Sequence, residues 1–237
     1  MGEHRATTSI HAVQETAQEW TLPTSRVRAR SSRRVLEAAR ALVEAEGLES
    51  LSMRRLAAEA DVSVRTLYNL FGDKDGLVAA LVQQSFAAMD TVVEDTSPED
   101  PVERIWCAVQ AAVEASCRYV PRAVTAAVLA DPALHTRLSR SWHGLDITVS
   151  AIEEATRKRM LRPDVPAPRL AAQAGAVLSQ RFREWAAGEL DERQLTATAL
   201  HAFDLVLLAV ATPRTRERLL VHLADLEPSL PRERSRA

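Results

Sequence analysis

The chain has 237 residues, a formal net charge of −2 at pH 7 and a hydrophobic fraction of 46%. This length fits one large domain or a small domain followed by a larger one, and the apolar fraction is enough to bury a sizeable core. Only seven glycines and no convincing alternation of period two disfavour a β-rich fold. The near-neutral charge argues against a protein that coats nucleic acid indiscriminately.

The ends of the chain carry no recognisable targeting signal. Residues 1–25 are polar and lack the apolar core of a signal peptide, and we expect this segment and the tail at 229–237 to be disordered. The longest near-apolar stretch, Leu205 to Ala211, is far too short to span a bilayer. We therefore expect a cytoplasmic protein without a membrane partner.

An arginine-rich segment precedes the first apolar stripe. Five arginines without an acidic residue lie between Arg26 and Arg34, and residues 24–74 carry ten basic residues against seven acidic ones. These arginines are either a solvated start of the first helix or contacts to phosphates, which need only positive charge at the right distance. An amphipathic helix is predicted over residues 31–46, and Gly47 provides a left-handed end for it.

The segment from Leu56 to Phe71 predicts two short helices joined by a tight turn. Ser63 is placed to cap the second helix by accepting from its first backbone amides, and Asp73 can cap a further helix that begins at Lys74. Apolar residues beneath a polar outer face are the layout of a helix-turn-helix, which presents hydrogen-bond donors to the DNA major groove. An ordinary helical hairpin facing water is the alternative. The polar residues that can face outward are Arg65, Thr66, Tyr68 and Asn69.

Residues 31–80 resemble the N-terminal DNA-binding domain of the TetR family of bacterial transcriptional regulators. The resemblance rests on the run Thr-Leu-Tyr-x-x-Phe at residues 66–71, on Lys74 three residues later, and on the upstream alanines and Gly47 at the family spacing. Two positions depart from the family pattern. Asp61 stands where glycine is usual at the turn, which survives because aspartate tolerates left-handed backbone, and Leu70 replaces a frequent histidine.

The resemblance implies an all-α protein, with a three-helix helix-turn-helix domain over residues 26–80 and a larger helical ligand-binding and dimerisation domain over residues 81–228. It implies a homodimeric repressor that binds a palindromic operator and is released by a small molecule, with coupling through the fourth helix. By the same resemblance Arg65 reaches base edges, with Val64 and Asn69 as further base contacts. The remaining predicted DNA contacts are Arg33, Arg34, Ser63, Thr66, Tyr68 and Lys74.

The larger domain continues as helices. A fourth helix is predicted over residues 74–91, followed by a break at 96–101 and by helices over 102–119, 121–130 and 132–160. The last of these carries an apolar stripe at steps of three and four residues. A proline-rich loop at 163–168 ends it. The stripe consists of Leu138, Trp142, Leu145, Val149 and Ile152.

Two further helices, predicted over residues 170–185 and 195–211, are apolar on more than one side. Such helices need partners on two faces, and the TetR resemblance implies that they pair with their copies in a four-helix bundle. Burial of both faces within one chain is the alternative. The candidate interface residues are Leu178, Trp185, Phe203 and Val206.

An effector pocket is expected among the aromatic residues of the larger domain. Each of these residues is alternatively a core residue, and Arg181 is alternatively an arginine whose charge reaches solvent. No lysine and few acids fall on the inner stripes, so we expect a small, mainly apolar effector. The candidate contacts are Phe86, Trp106, Trp142, Leu145, Arg181 and Phe182.

Motifs of enzymes and metal sites are missing from the sequence. It has no glycine-rich phosphate loop, no Gly-x-Ser-x-Gly and no His-Glu-x-x-His, and its histidines are scattered. Cys107 and Cys117 lie in one predicted helix, too far apart for a disulfide. We therefore expect no catalysis, cofactor or metal. An effector-independent architectural DNA-binding protein is the second hypothesis, and an enzyme is the third.

Overall fold

The computed structural model describes residues 26–96, 98–139 and 144–231, and these residues form α-helices without a β-strand. The all-α fold class is therefore confirmed. Most of residues 1–25 and 229–237, which we predict to be disordered, lies outside the described residues. The helices are α1 Arg26–Glu46, α2 Met53–Glu59, α3 Val64–Phe71, α4 Lys74–Thr96, α5 Pro101–Tyr119, α6 Arg122–Ala130, α7 Pro132–Ser139, α8 Gly144–Arg157, α9 Ala167–Ala186, α10 Glu192–Leu208 and α11 Pro213–Leu226, followed by a 3₁₀ turn, Glu227–Ser229.

The caps expected around the helix-turn-helix are confirmed. The Ser63 hydroxyl accepts from the Thr66 amide at 3.0 Å, and the Asp73 carboxylate accepts from the Gly76 amide at 2.8 Å. Asp61 occupies the left-handed region with φ 48°, as the turn between α2 and α3 requires. Short-range hydrogen bonds therefore define the start of α3 and the start of α4.

The helix predicted over residues 132–160 ends earlier than expected, at Arg157. The described residues of this segment form α7 and α8, and residues 140–143 between them lie outside the described residues. At the far end of α8, Arg159 adopts φ 57° and Met160 donates to the Ala155 carbonyl at 2.8 Å, which terminates the helix. Helix α11 has no counterpart among the predicted helices. Several predicted ends shift by a few residues, most visibly in α1, α4 and α10.

The DNA-binding helices share their core with the larger domain. Val35, Leu67 and Phe71 belong to one buried cluster that also contains side chains of α6 and α7, among them Val128 and Leu138. Helix α4 passes straight through the predicted boundary at residue 80. The two predicted domains are therefore joined by continuous apolar packing as well as by the chain itself.

Helix α4 is the most apolar long helix among the described residues. Its window Lys74–Val93 has a mean hydropathy of 1.3 and would be long enough to cross a membrane, but 56% of it is buried inside the protein. This window, which includes several polar residues, is longer than the near-apolar stretch from Leu205 to Ala211. Its burial, largely against α5, is typical of the core helix of a soluble protein.

Helix α11 is attached to the larger domain through a buried carboxylate. Asp204 of α10 is fully buried and accepts from Trp106 Nε1 at 2.7 Å, while its other oxygen lies 2.6 Å from His222 Nδ1. Burial raises the pKa of Asp204, and the hydrogen bonds from Trp106 and His222 oppose that shift. Arg218 adds ion pairs to Asp100 at 2.8 Å and to Glu103. One acceptor thus joins α5, α10 and α11.

Replacing Asp204 by Ala should lower the free energy of unfolding by about 2–5 kcal/mol, because Trp106 Nε1 and His222 Nδ1 both lose the fully buried carboxylate that they contact. Chemical denaturation followed by circular dichroism measures the loss. Asp225→Ala, at an exposed aspartate of α11, is the matched control and should change stability by less than about 0.5 kcal/mol. Equal, small effects of both substitutions would contradict a structural role for Asp204.

Candidate nucleic-acid interface and internal cavity

Helix α3 presents a polar face to solvent and an apolar face to the core. Leu67 and Phe71 are buried, whereas Tyr68 is 50% exposed and Val64 is 39% exposed. Of the other predicted contacts on or beside this helix, Ser63, Arg65 and Asn69 are exposed and Thr66 is half-buried. The structure therefore brings these predicted DNA-binding residues onto one accessible surface.

The hydroxyls of Ser63 and Thr66 already hydrogen-bond to each other at 2.7 Å. Each oxygen still has a free lone pair, and a shared proton can be redirected to a phosphate oxygen. Lys74, in the first turn of α4, is half-buried. These three residues flank the two ends of α3, the positions from which backbone contacts can orient a helix in a groove.

Two arginines of α1 have different surroundings. Arg33 is exposed, as a phosphate contact requires. Arg34 instead donates to the Ala60 carbonyl at 2.8 Å and to the Asp61 carboxylate at 3.2 Å. The Arg34 guanidinium therefore fastens α1 to the turn of the helix-turn-helix, and because its side chain is 46% exposed, its contact with DNA stays a prediction.

Sequence reasoning did not single out Arg28. Its guanidinium donates to the Asn69 backbone carbonyl at 3.5 Å, from 41 residues away in the chain. This contact places an exposed positive charge beside the end of α3. The only signal in the sequence was membership of the arginine-rich segment, which does not distinguish one arginine from the next.

An internal cavity of about 350 Å³ lies in the larger domain. Helix α4 contributes Val82, Phe86 and Met89 to its wall, and α9 contributes Leu178 and Phe182. Helices α5, α6 and α7 complete it, and none of its lining residues is a lysine, an arginine or an acid. The volume and apolar lining are those of a small-ligand site.

The described part of the chain gives little support for a metal site or a reactive cysteine. No group of three or more His, Cys, Asp or Glu side chains there could hold a metal ion. Burial raises the pKa of Cys117 to about 12, which keeps its thiol protonated and unreactive. No disulfide joins Cys107 and Cys117.

Residues 35–81 match the family model of bacterial regulatory proteins of the tetR family. Over 130 residues the chain is 28% identical to the HTH-type transcriptional repressor KstR of Rhodococcus jostii (strain RHA1), a match that covers 55% of this chain and 56% of that repressor. The chain thus matches only about half the length of that curated relative. Residues 35–81 therefore form a DNA-binding domain of the TetR family.

Solved structures share the fold of this chain. A protein of unknown function from Rhodococcus sp. RHA1 is 26% identical, with a TM-score of 0.58 over 77% of this chain and 96% of that one. The fatty acid degradation regulator FadR from Bacillus halodurans shares the fold at 17% identity, with a TM-score of 0.63 over 75% of this chain and 94% of that one. The N-terminal domain therefore has the helix-turn-helix fold of TetR regulators.

Not all of the predicted effector contacts line this cavity. Phe86 and Phe182 line the cavity, but Trp106 and Arg181 do not. Trp106 is held by Asp204 on the side of α11, and Arg181 pairs with Glu184 at 2.7 Å. Trp142 and the side chain of Leu145 lie outside the described residues.

The predicted dimer contacts are also corrected in part. Leu178, Trp185 and Phe203 are 4%, 4% and 5% exposed, so they are core residues of a single protomer and offer no surface to a partner. Arg122 stacks over the Trp185 ring at 4.9 Å. Val206 is half-buried, whereas the neighbouring Leu205, which was not singled out from the sequence, is 50% exposed.

Replacing Tyr68 by Ala should weaken binding to all DNA sequences, because a lost phosphate contact carries no base information. Tyr68→Phe is the matched control for the hydroxyl, and it should reproduce the loss if the hydroxyl makes the contact. Replacing Arg65 by Ala should relax base preference at one position, at a cost of about 1–3 kcal/mol. Binding at fixed salt to a randomised DNA library measures both effects. Wild-type binding by all three variants would remove α3 from the interface.

Proposed function

We propose that this protein is a transcriptional repressor that binds a palindromic operator as a homodimer and leaves it when a small apolar molecule enters the cavity. The observation that carries the proposal is that Val120, Val128 and Leu138 both line the cavity and belong to the core that includes the DNA-binding helices. The similarity to KstR, a transcriptional repressor, supports the direction of regulation.

The cavity and the DNA-binding helices are connected along two routes. Helix α4 lines the cavity with Val82 and Phe86 and begins directly after α3. Helices α6 and α7 line it from another side; α6 packs against α1, and α7 packs against α6 and α4. Because packed cores switch between discrete arrangements, a ligand that spreads these walls moves both contacts with the DNA-binding helices.

Arg40 of α1 strengthens this connection. Its Nε donates to the Tyr119 carbonyl at 3.1 Å, and its Nη2 donates to the Gln84 side-chain oxygen at 2.9 Å. The guanidinium also lies 5.5 Å from the centre of the Tyr119 ring. Arg40 of the DNA-binding domain thus contacts both α4 and the end of α5. A change in the distance between these two helices would therefore change its hydrogen bonds.

The dimer is expected to form through the outer face of α10. Leu205 is 50% exposed, Ala209 is exposed, and Ala202 and Val206 are half-buried, so these residues form an apolar stripe at steps of three and four. Small residues on such a stripe allow two copies to approach closely. Two-fold pairing then brings the stripe against itself and sets the spacing of the two α3 helices.

The effector role is what separates this proposal from an effector-independent architectural protein. An apolar cavity next to the DNA-binding core costs stability unless it is filled, and an architectural protein has no use for it. Operator release by an added ligand is therefore the discriminating property.

Leu205→Glu should convert the dimer to a monomer, because the new carboxylate meets its own copy or a close neighbour across the two-fold axis. Operator affinity should fall with it, since a single α3 helix reads only one half-site. Sedimentation velocity and DNA binding measure the two effects. Leu205 is preferred to Val206 because a charge at the half-buried valine would also disturb the core of one protomer.

Val92→Glu is the matched control, since Val92 of α4 is 41% exposed and gains the same charge. This variant should remain dimeric. A folded Leu205→Glu protein that stays dimeric would show that the interface lies elsewhere.

A further inference from the structure

The polar groups of the cavity define the chemistry of a ligand. Its lining has no Asp, Glu, Lys or Arg, and five of its side chains can hydrogen-bond: Ser85, Ser116, Thr125, His135 and Ser179. An ion buried there would lack a counter-charge, which costs several kcal/mol after desolvation. The lining therefore disfavours a carboxylate or an ammonium group on the buried part of a ligand.

Two of the five polar side chains have already used their protons. The Ser85 hydroxyl donates to the Val82 carbonyl at 2.7 Å, and the Ser179 hydroxyl donates to the Gly175 carbonyl at 3.0 Å. Each serine has a single hydroxyl proton, so both can only accept from a ligand. They add little affinity for a molecule that carries no donor.

The other three polar side chains keep donors available. Ser116 of α5, Thr125 of α6 and His135 of α7 are half-buried, and no hydrogen bond links any of their side chains to another described residue. Because these donors meet no acceptor in the described protein, they favour a ligand that supplies one. They come from three consecutive helices, whereas α4 and α9 supply the large apolar side chains.

The cavity opens along α9. Ala172 and Ala176 line it and are exposed. Gly175 lies between them on the lining, and a Cβ atom added to this glycine would meet no atom within 4 Å. This part of the wall therefore has room for a larger side chain, which offers a way to close the entrance without disturbing the core.

We propose that the cavity selects an uncharged, largely apolar molecule with a carbonyl or similar acceptor oxygen, which Ser116, Thr125 and His135 bind as donors. This inference rests on the proposed effector role of the cavity and adds the class of ligand. The cavity of about 350 Å³ is near the lower end of small-ligand sites, so a medium-chain ketone is a suitable probe.

The test compares 2-decanone, decane, decanoate and decylammonium with the full-length protein at pH 8, where free imidazole is mostly neutral. Calorimetric titration measures the affinities, and thermal stabilisation by each compound reports them independently. We expect 2-decanone to bind at least tenfold more tightly than either ion and roughly two- to tenfold more tightly than decane. Equal or tighter binding of decanoate or decylammonium would overturn the proposal, as would failure of 2-decanone to bind.

Thr125→Val and Ser116→Ala should each reduce the preference for 2-decanone over decane while leaving decane binding intact. Ser85→Ala is the matched control, because its proton is already donated to the Val82 carbonyl, and the preference should remain. Gly175→Phe should weaken binding of both neutral compounds by closing the entrance, with thermal stability of the free protein as the check on folding. If Thr125→Val and Ser116→Ala both keep the preference for 2-decanone over decane, these two side chains do not donate a hydrogen bond to the ligand.

Operator release is measured separately for the same compounds. If 2-decanone binds with the expected preference but operator affinity does not change, the ligand class stands and the effector role in the proposed function fails. If decanoate binds more tightly and releases the operator, the effector role stands and the ligand class fails. The two proposals are therefore tested by different readouts of one set of titrations.

Discussion

The small size of the helix-turn-helix constrains the rest of this protein. A unit of about 50 residues buries too little apolar surface to offset the entropy of ordering its chain, so it depends on neighbours for stability. Here the neighbours are α4, α6 and α7, whose buried residues, including Leu77, Val124 and Leu134, complete the core beneath α1 and α3. The DNA-binding surface is consequently only as rigid as the helices that support it.

This dependence explains where the cavity lies. A space enclosed by α4, α6, α7 and α9 adjoins the same side chains that stabilise the DNA-binding helices, among them Val128 and Leu138. A ligand that enters or leaves the cavity would alter this core, which both lines the cavity and supports the DNA-binding helices. In the proposed mechanism a separate signalling element is unnecessary, because the apolar contacts that stabilise the fold would also carry the response. Helix α11 stands apart from this arrangement, since Asp204 ties it to α5 and α10 on the side of Trp106.

Local features of the DNA-binding domain were predictable because their causes lie within a few residues. The Ser63 cap and the left-handed Asp61 follow from residue type and spacing alone. The partner of Trp106 was not predictable, since Asp204 lies 98 positions away. Helical periodicity likewise identified the apolar faces around Trp185 and Phe203 but gave no means of telling whether the same chain or a second copy covers them. A cavity wall and a solid core present the same pattern of apolar residues.

Arg40 has a further consequence through the nature of its partners. Its guanidinium hydrogen-bonds to a backbone carbonyl and a side-chain amide, both of them uncharged. Screening by dissolved ions weakens attraction between exposed charges far more than hydrogen bonds to neutral oxygens, whereas contacts to DNA phosphates release counterions and depend steeply on ionic strength. The Arg40 hydrogen bonds between the two domains and the contacts to DNA phosphates therefore respond differently to salt. Added salt therefore weakens binding to nucleic acid, while the hydrogen bonds that Arg40 makes between the two domains keep their strength.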